Sequence, residues 1–337
     1  MARARLADVA ARAGVSTATA SLVLRDRPGP SPATREEVRA AARDLGYRPD
    51  RTASVLASHR SRLVGVLLDV TSTFHGELVD RLDAAASERG YDLVLAAVTS
   101  SRGEDRAVET LLDFRCEGLA LLGSTLSERA LSEVARTCPL VVVGRAGGPG
   151  FDGVLAPDRA GMSAAVDHLV SLGHRSITYV DGPRGPIATA RRQGYRAAMR
   201  RHHLVTTIDV RAGGADEAAG LAAGRQLAAN AQRARPSAVL AFNDRCAVGV
   251  RDALLRHEIH VPDHMSLVGY DDSPLARLAT VSLTTVSQDP GALAAATMQA
   301  LARRLEGPPS AGRRAAGATI EVAPRLVVRA STAPLTR

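Results

Sequence analysis

Apolar residues recur at helical spacing at the start of the chain and in short unbroken runs through the rest of it. Leu6, Val9, Ala10 and Ala13 stand at i, i+3, i+4 and i+7, which is one face of a helix. Gly14 then interrupts the pattern with a residue that can turn the chain at little steric cost. Ser16 is placed to cap a second helix, whose buried side is Ala20, Val23 and Leu24. Ser31-Pro32 opens a third, with Ser as cap and Pro at the first helical position. Val38, Ala41, Ala42 and Leu45 give that helix its apolar face, and Gly46 ends it. Three short helices around Leu6, Val9, Val23, Leu24, Val38 and Leu45 close a small core. The tight turn between the first two predicts a helix-turn-helix, a motif whose second helix is shaped to enter a DNA major groove.

The pattern changes twice more. Pro49 disfavours helix at Arg48, and a short helix from about Asp50 to Ser58 has little apolar content beyond Val55 and Leu56. It reads as a linker that gains structure when something binds it. From Leu63 onward, short apolar runs alternate with helical stretches. The first strand set is Leu63–Val70, Tyr91–Val98, Gly118–Gly123 and Leu140–Gly144. The second is Ser176–Asp181, Val205–Val210, Ser237–Phe242 and Met265–Tyr270. Helical stretches between them include Glu77–Arg89, Gly161–Leu172, Gln193–His202, Asp216–Ala231 and Cys246–His257. This alternation implies parallel sheets covered on both faces, in two similar α/β lobes. Ligands of such sheets bind beyond the carboxyl ends of the strands, hence in the cleft between the lobes.

Charge sharpens the picture of the head. The net charge is +8, and all 43 basic residues are Arg. Residues 1–62 hold twelve Arg against six Asp or Glu, so most of the excess sits in under a fifth of the chain. A basic head on a nearly neutral body is the electrostatic footprint of a nucleic-acid-binding module. Phosphate contacts then fall to Arg, Ser, Thr and backbone N–H groups. Cys116, Cys138 and Cys246 are odd in number and far apart, as expected of reduced, buried thiols in a cytoplasmic protein. The N-terminus lacks the apolar core of a signal peptide, and no apolar run is long enough to predict a membrane span.

Catalytic signals are missing. There is no Gly-x-Ser-x-Gly elbow, P-loop or Cys-x-x-Cys. His260 and His264 have an i, i+4 spacing, but Pro262 between them argues against the single helix that metal ligation there requires. His202-His203 lack further ligands at useful spacing, and Gly147-Gly148 and Gly213-Gly214 are turns without a dinucleotide fingerprint. No cofactor, metal site or enzymatic activity is expected.

Several stretches together resemble the LacI/GalR transcriptional regulators. They are Leu6-Ala-Asp-Val-Ala-Ala-Arg-Ala-Gly-Val-Ser16, Thr34–Val38, Leu45-Gly-Tyr-Arg-Pro49, Leu169–His174, Phe242-Asn-Asp244, Val261-Pro262, Val268–Asp272 and Leu283–Val286. Each is weak alone, but the series runs in order along the whole chain. The resemblance implies a helix-turn-helix head at 1–48 and a hinge helix at 49–62. It implies a periplasmic-binding-protein-like core with one lobe at 63–158 plus about 290–323 and the other at 159–289 plus about 324–331, then a tail at 332–337. A homodimer would hold two heads on a palindromic, double-stranded operator, most simply as a repressor, under control of a small carbohydrate-like effector. The alternative is a solute-binding protein with an unrelated N-terminal extension; the head and the missing signal peptide argue against it.

The resemblance also implies site residues. For DNA these are Arg5, Ser16, Thr17, Ala18, Thr19, Ser21, Leu22, Arg25, Arg51, Ala53 and Leu56, the last as an apolar wedge in the minor groove. Leu22 stands where relatives often carry a guanine-reading Arg, and Leu offers only apolar contact, for instance with a thymine methyl. Arg25 or Arg27 is the substitute at hand. Asp50 replaces a common Asn, and Ala53-Ser54-Val55-Leu56 lacks the Arg of the usual hinge pattern. For the effector they are Phe74, His75, Asp158, Arg191, Asn243, Asp244 and Asp271. Ser72-Thr73-Phe74-His75 stands where many relatives read Asn-Pro-Phe-Phe, so His75 offers a hydrogen-bonding group in place of a ring. With no Trp in the chain, a sugar would stack on Phe or Tyr.

Overall fold

The computed structural model describes residues 4–24, 26, 28–47, 60–229, 235–306 and 317–335. The chain divides into two compact units, Met1–Ser61 and Arg62–Arg337. Arg25, Arg51, Ala53 and Leu56, with Arg27, Asp50 and nearly all of the expected hinge, lie outside the described residues.

In the first unit, helices α1 (Leu6–Arg12), α2 (Thr17–Leu24) and α3 (Pro32–Asp44) close on Val9, Ala10, Ala20, Val23, Val38 and Ala41. Gly14 takes φ +64°, a left-handed turn that a side chain would strain. Ser16 accepts a hydrogen bond from the Thr19 N–H at 3.0 Å, and Ser31 one from Thr34 at 3.2 Å, so both serines cap as their positions imply. Leu45 departs from expectation, being 37% exposed. Gly46, at φ +59°, turns the chain so that the Tyr47 N–H bonds the Ala42 carbonyl, and Tyr47 packs on the core instead.

In the second unit the strands are β1 (Leu63–Asp69), β2 (Asp92–Val98), β3 (Gly118–Leu122), β4 (Leu140–Val143), β5 (Asp152–Leu155), β6 (Ile177–Val180), β7 (Asp209–Arg211), β8 (Ala238–Ala241), β9 (Ser266–Asp271), β10 (Thr284–Ser287), β11 (Thr319–Glu321) and β12 (Arg325–Val327). They form two six-stranded sheets, ordered β11-β5-β4-β3-β1-β2 and β12-β10-β9-β8-β6-β7. All pairings are parallel except β10 with β12. Helices α4 (Thr73–Ser87), α5 (Glu104–Asp113), α6 (Glu128–Thr137) and α12 (Pro290–Glu306) accompany the first sheet. Helices α7 (Asp158–Ser171), α8 (Pro186–Arg201), α9 (Glu217–Ala229), α10 (Asp244–Arg256) and α11 (Pro274–Arg277) accompany the second. The chain crosses between lobes after β5, after β10 and after β11.

Two local expectations change. Val205–Thr207 is a 3-10 turn rather than the start of a strand, and the strand begins at Asp209. Strand β10 was not legible as an apolar run, because its Thr284 and Thr285 are buried through hydrogen bonds rather than through apolar surface. Among the described residues no helix is long and apolar enough to cross a membrane, and no cluster of His, Cys, Asp or Glu is arranged to hold a metal.

Candidate functional site

Parallel packing brings the carboxyl ends of both sheets to one cleft, as sheet geometry requires. The cleft holds a cavity of about 360 Å³, within the usual range for small-ligand sites. The second-lobe wall is a charged cluster. Arg191 on α8 is almost wholly buried; its Nε donates to Asp158 Oδ1 at 2.9 Å, one Nη to the Phe242 carbonyl at 2.6 Å and the other to Asp271 Oδ1 at 3.5 Å. The guanidinium lies 3.6 Å from the Tyr270 ring centre and 4.8 Å from that of Phe242. Burial works against the Arg191 charge, but the facing carboxylates of Asp158 and Asp271 outweigh it and hold its pKa above the ordinary value.

Asp271 ends β9 with φ +109° and accepts from Gln288 Nε2 at 2.7 Å. Burial pushes its pKa up to about 6, with Arg191 and Gln288 opposing. Asp158 opens α7, the helix that follows one lobe crossing, and Gln288 is the first residue after β10, so this cluster ties together two of the three connections.

The first-lobe wall is of another kind. Leu67, Leu78, Leu122, Val143, Leu293 and Phe74 line it. His75 sits among them: its Nδ1 accepts the Asp69 N–H at 3.1 Å, and burial pushes its pKa down to about 4, so the ring is neutral with its proton on Nε2. That nitrogen lies beside Gly123, where an added Cβ would stand 3.1 Å from it. At the rim, Arg245 Nη1 donates to the Thr71 carbonyl at 2.5 Å while its other nitrogens bind Glu217, linking the lobes.

Six of the seven expected effector residues line this cavity: Phe74, His75, Asp158, Arg191, Asn243 and Asp271. Asn243 spends both ends of its amide locally, capping α10 at the Cys246 N–H (2.9 Å) and donating to the Ala215 carbonyl (3.0 Å). Asp244 is a correction. It turns away from the cavity into the lobe interior, accepting from the Thr285 hydroxyl at 2.6 Å and the Ser273 N–H at 2.7 Å. Burial, then the nearby Asp271, push its pKa up to about 7. Gln288, Arg245 and Ile187 line the cavity without having been anticipated; Gln288, immediately after a strand end, had a positional signal.

In the head, Thr17, Ala18 and Leu22 are exposed on α2, and Leu22 is 41% exposed although apolar. Ser21 is half-buried, and the Ser16 and Thr19 hydroxyls bond each other at 2.9 Å. The Arg5 N–H donates to Asp8 at 2.7 Å and starts α1, while its side chain is exposed.

These two units match two known domains. Residues 5–50 match the bacterial regulatory proteins of the lacI family, and residues 166–332 a periplasmic binding protein-like domain. The ribose operon repressor of Escherichia coli K12 is 35% identical over 313 residues, covering 90% of this chain and 94% of its own. The chain belongs to the LacI family of bacterial regulatory proteins. This regulator is also similar in structure to a LacI transcriptional regulator from a Rhodococcus species, with TM-score 0.76 and 42% identity over 81% of this chain and 98% of that one. The lac repressor dimer bound to operator and the anti-inducer ONPF gives TM-score 0.81 at 26% identity, over 98% of this chain and all of that one. The LacI-family chain is therefore a DNA-binding transcriptional regulator rather than an enzyme.

Proposed function

We propose that this LacI-family regulator is a cytoplasmic, homodimeric repressor that holds a palindromic operator with two helix-turn-helix heads and changes its grip when a small hydroxyl-bearing effector binds between the lobes. The observation that carries the effector reading is the Arg191 cluster at the cavity wall. Its carboxylates and amide suit hydroxyl groups, and it joins two of the three lobe connections. A ligand that prefers one lobe arrangement shifts the population toward it by its differential affinity, which is the coupling that control of DNA binding requires.

On DNA, exposed Thr17, Ala18 and Leu22 with half-buried Ser21 read base edges. Ser16 and Thr19 chiefly form the α2 cap. Leu22 replaces the usual guanine contact by an apolar one, for instance with a thymine methyl. Leu56, outside the described residues, serves as the minor-groove wedge on sequence grounds alone.

In vitro selection of DNA by the full-length protein tests this reading. A palindrome bound with steep salt dependence supports it; recovery of no enriched sequence refutes it. Leu56→Ala should weaken specific binding far more than non-specific binding.

A further inference from the structure

The two walls of the cavity ask for different chemistry. On the second-lobe side, Asp271 uses only Oδ1, for Arg191 and Gln288, and Gln288 spends its amide nitrogen on Asp271. Asp271 Oδ2 and Gln288 Oε1 thus remain as acceptors without a protein partner among the described residues, and a ligand must donate to them, as hydroxyl groups do. On the first-lobe side the floor is Leu67, Leu78, Leu122, Val143, Leu293 and Phe74, with Ile187 of the other lobe approaching Gly123 and Gly144. Hydroxyls set against these apolar side chains have nothing to pair with, although Asp69, Thr71, Ser72, Glu104 and Thr125 of the same lobe also line the cavity. The polar group set into that floor is His75, whose Nδ1 is taken by the Asp69 N–H. Its Nε2–H has no protein acceptor among the described residues and asks the ligand for one.

Charge narrows the class further. Asp69, Glu104, Asp158 and Asp271 line the cavity together with Arg184, Arg191 and Arg245; Arg191 and Arg245 are already bonded to carboxylates, and Arg184 is exposed. An anion gains little from the two engaged cations, and the lining carries four acids against three Arg.

We infer that the effector is an uncharged, two-faced molecule. A hydroxyl-bearing sugar head sits on Asp271 and Gln288, and an apolar substituent carrying one hydrogen-bond acceptor fills the first-lobe pocket against His75. Nucleosides and glycosides with an apolar aglycone belong to this class; free sugars and sugar phosphates do not. The inference rests on the cleft being the effector site.

Isothermal titration of the full-length protein with matched probes separates the two claims. Adenosine and uridine are compared with ribose, phenyl β-D-glucopyranoside with glucose, and ribose 5-phosphate serves as the anion. At least one substituted probe should bind ten-fold or more tightly than its parent sugar, and ribose 5-phosphate no tighter than ribose. For a nucleoside that binds, His75→Leu should remove most of the gain over the parent sugar, while His75→Gln, which keeps an N–H donor, should retain it. Parent sugars binding as tightly as substituted probes would overturn the two-faced ligand yet leave the effector site standing, as would preference for the phosphate. Binding of none of the probes would overturn both. The wild-type comparison needs no variant to fold.

Discussion

Arg277 of the second lobe reaches across to Glu77 of the first, with its guanidinium 3.0 Å from one carboxylate oxygen and 3.4 Å from the other. The same Arg277 donates to the Asp272 carbonyl at 2.5 Å, next to the cavity acid Asp271. Together with the Arg245 bond to the Thr71 carbonyl, this pair fastens the lobes at the mouth of the cleft. Because Arg277 is about half exposed, the pair is worth about 1 kcal/mol at most. Glu77→Gln should therefore change effector affinity by less than about ten-fold, and weaken the salt dependence of lobe closure followed by distance labels on the two lobes. An unchanged salt dependence would show that the pair does not act as a fastener.

Removal of Arg191 should be far more severe. Arg191→Met leaves Asp158 and Asp271 buried beside each other without their cation, a change of about 3–5 kcal/mol. Urea unfolding should show that loss at neutral pH and a partial recovery in acid, as the carboxylates take up protons. A loss under about 1 kcal/mol would mean that the cluster is solvated rather than buried.

His75 gives a pH signature of known sign. Its folded pKa of about 4 lies below the ordinary 6.5, so between these values the unfolded chain binds more protons than the folded one. Stability from this group falls as pH drops from 6.5 toward 4, by up to about 3 kcal/mol. Asp271 slopes the other way, because its pKa is raised from 3.8 to about 6 and its contribution is lost as pH rises through that window. The difference between wild type and His75→Leu isolates the histidine: the variant should gain relative stability as pH falls. Parallel profiles would place a charged or exposed imidazole at this position.

Leu22 invites a test on the DNA itself. Where the selected half-site carries a thymine opposite it, replacing that base by deoxyuridine removes one methyl group, a change of about 1 kcal/mol in apolar contact. Binding should weaken by several-fold for wild type and hardly at all for Leu22→Ala. Equal losses in both proteins would assign the methyl to another side chain.

Much of this architecture was legible in the chain because its signals are local. The Gly14 turn, the Ser16 and Ser31 caps and the apolar runs of β1, β3, β4, β8 and β9 need only neighbours within a few residues to form. What could not be read depends on distant partners. Thr284 of β10 is buried because the Arg329 N–H donates to its hydroxyl, while its own N–H donates to Ser331 Oγ. His174, at the end of the Leu169–His174 stretch, uses its ring to hold Ser237, Ser266 and the Ala333 carbonyl, which fixes the C-terminal segment. The site was legible by residue type at strand ends, but not by direction. Asp244 and Asp271 are both acids near strand ends, and only the fold aims one inward at Thr285 and the other at Arg191.

Coupling between cleft and operator is measured most directly by fluorescence anisotropy of the full-length protein on its selected operator. The titration is made with and without a saturating cleft ligand from the probe set, for wild type and for Asp271→Asn. The ligand should shift wild-type operator affinity by five-fold or more, about 1 kcal/mol of coupling. The variant should bind the operator within a few-fold of wild type and lose the response. Operator affinity that is unchanged by a ligand bound in the wild-type cleft would contradict ligand control through this site.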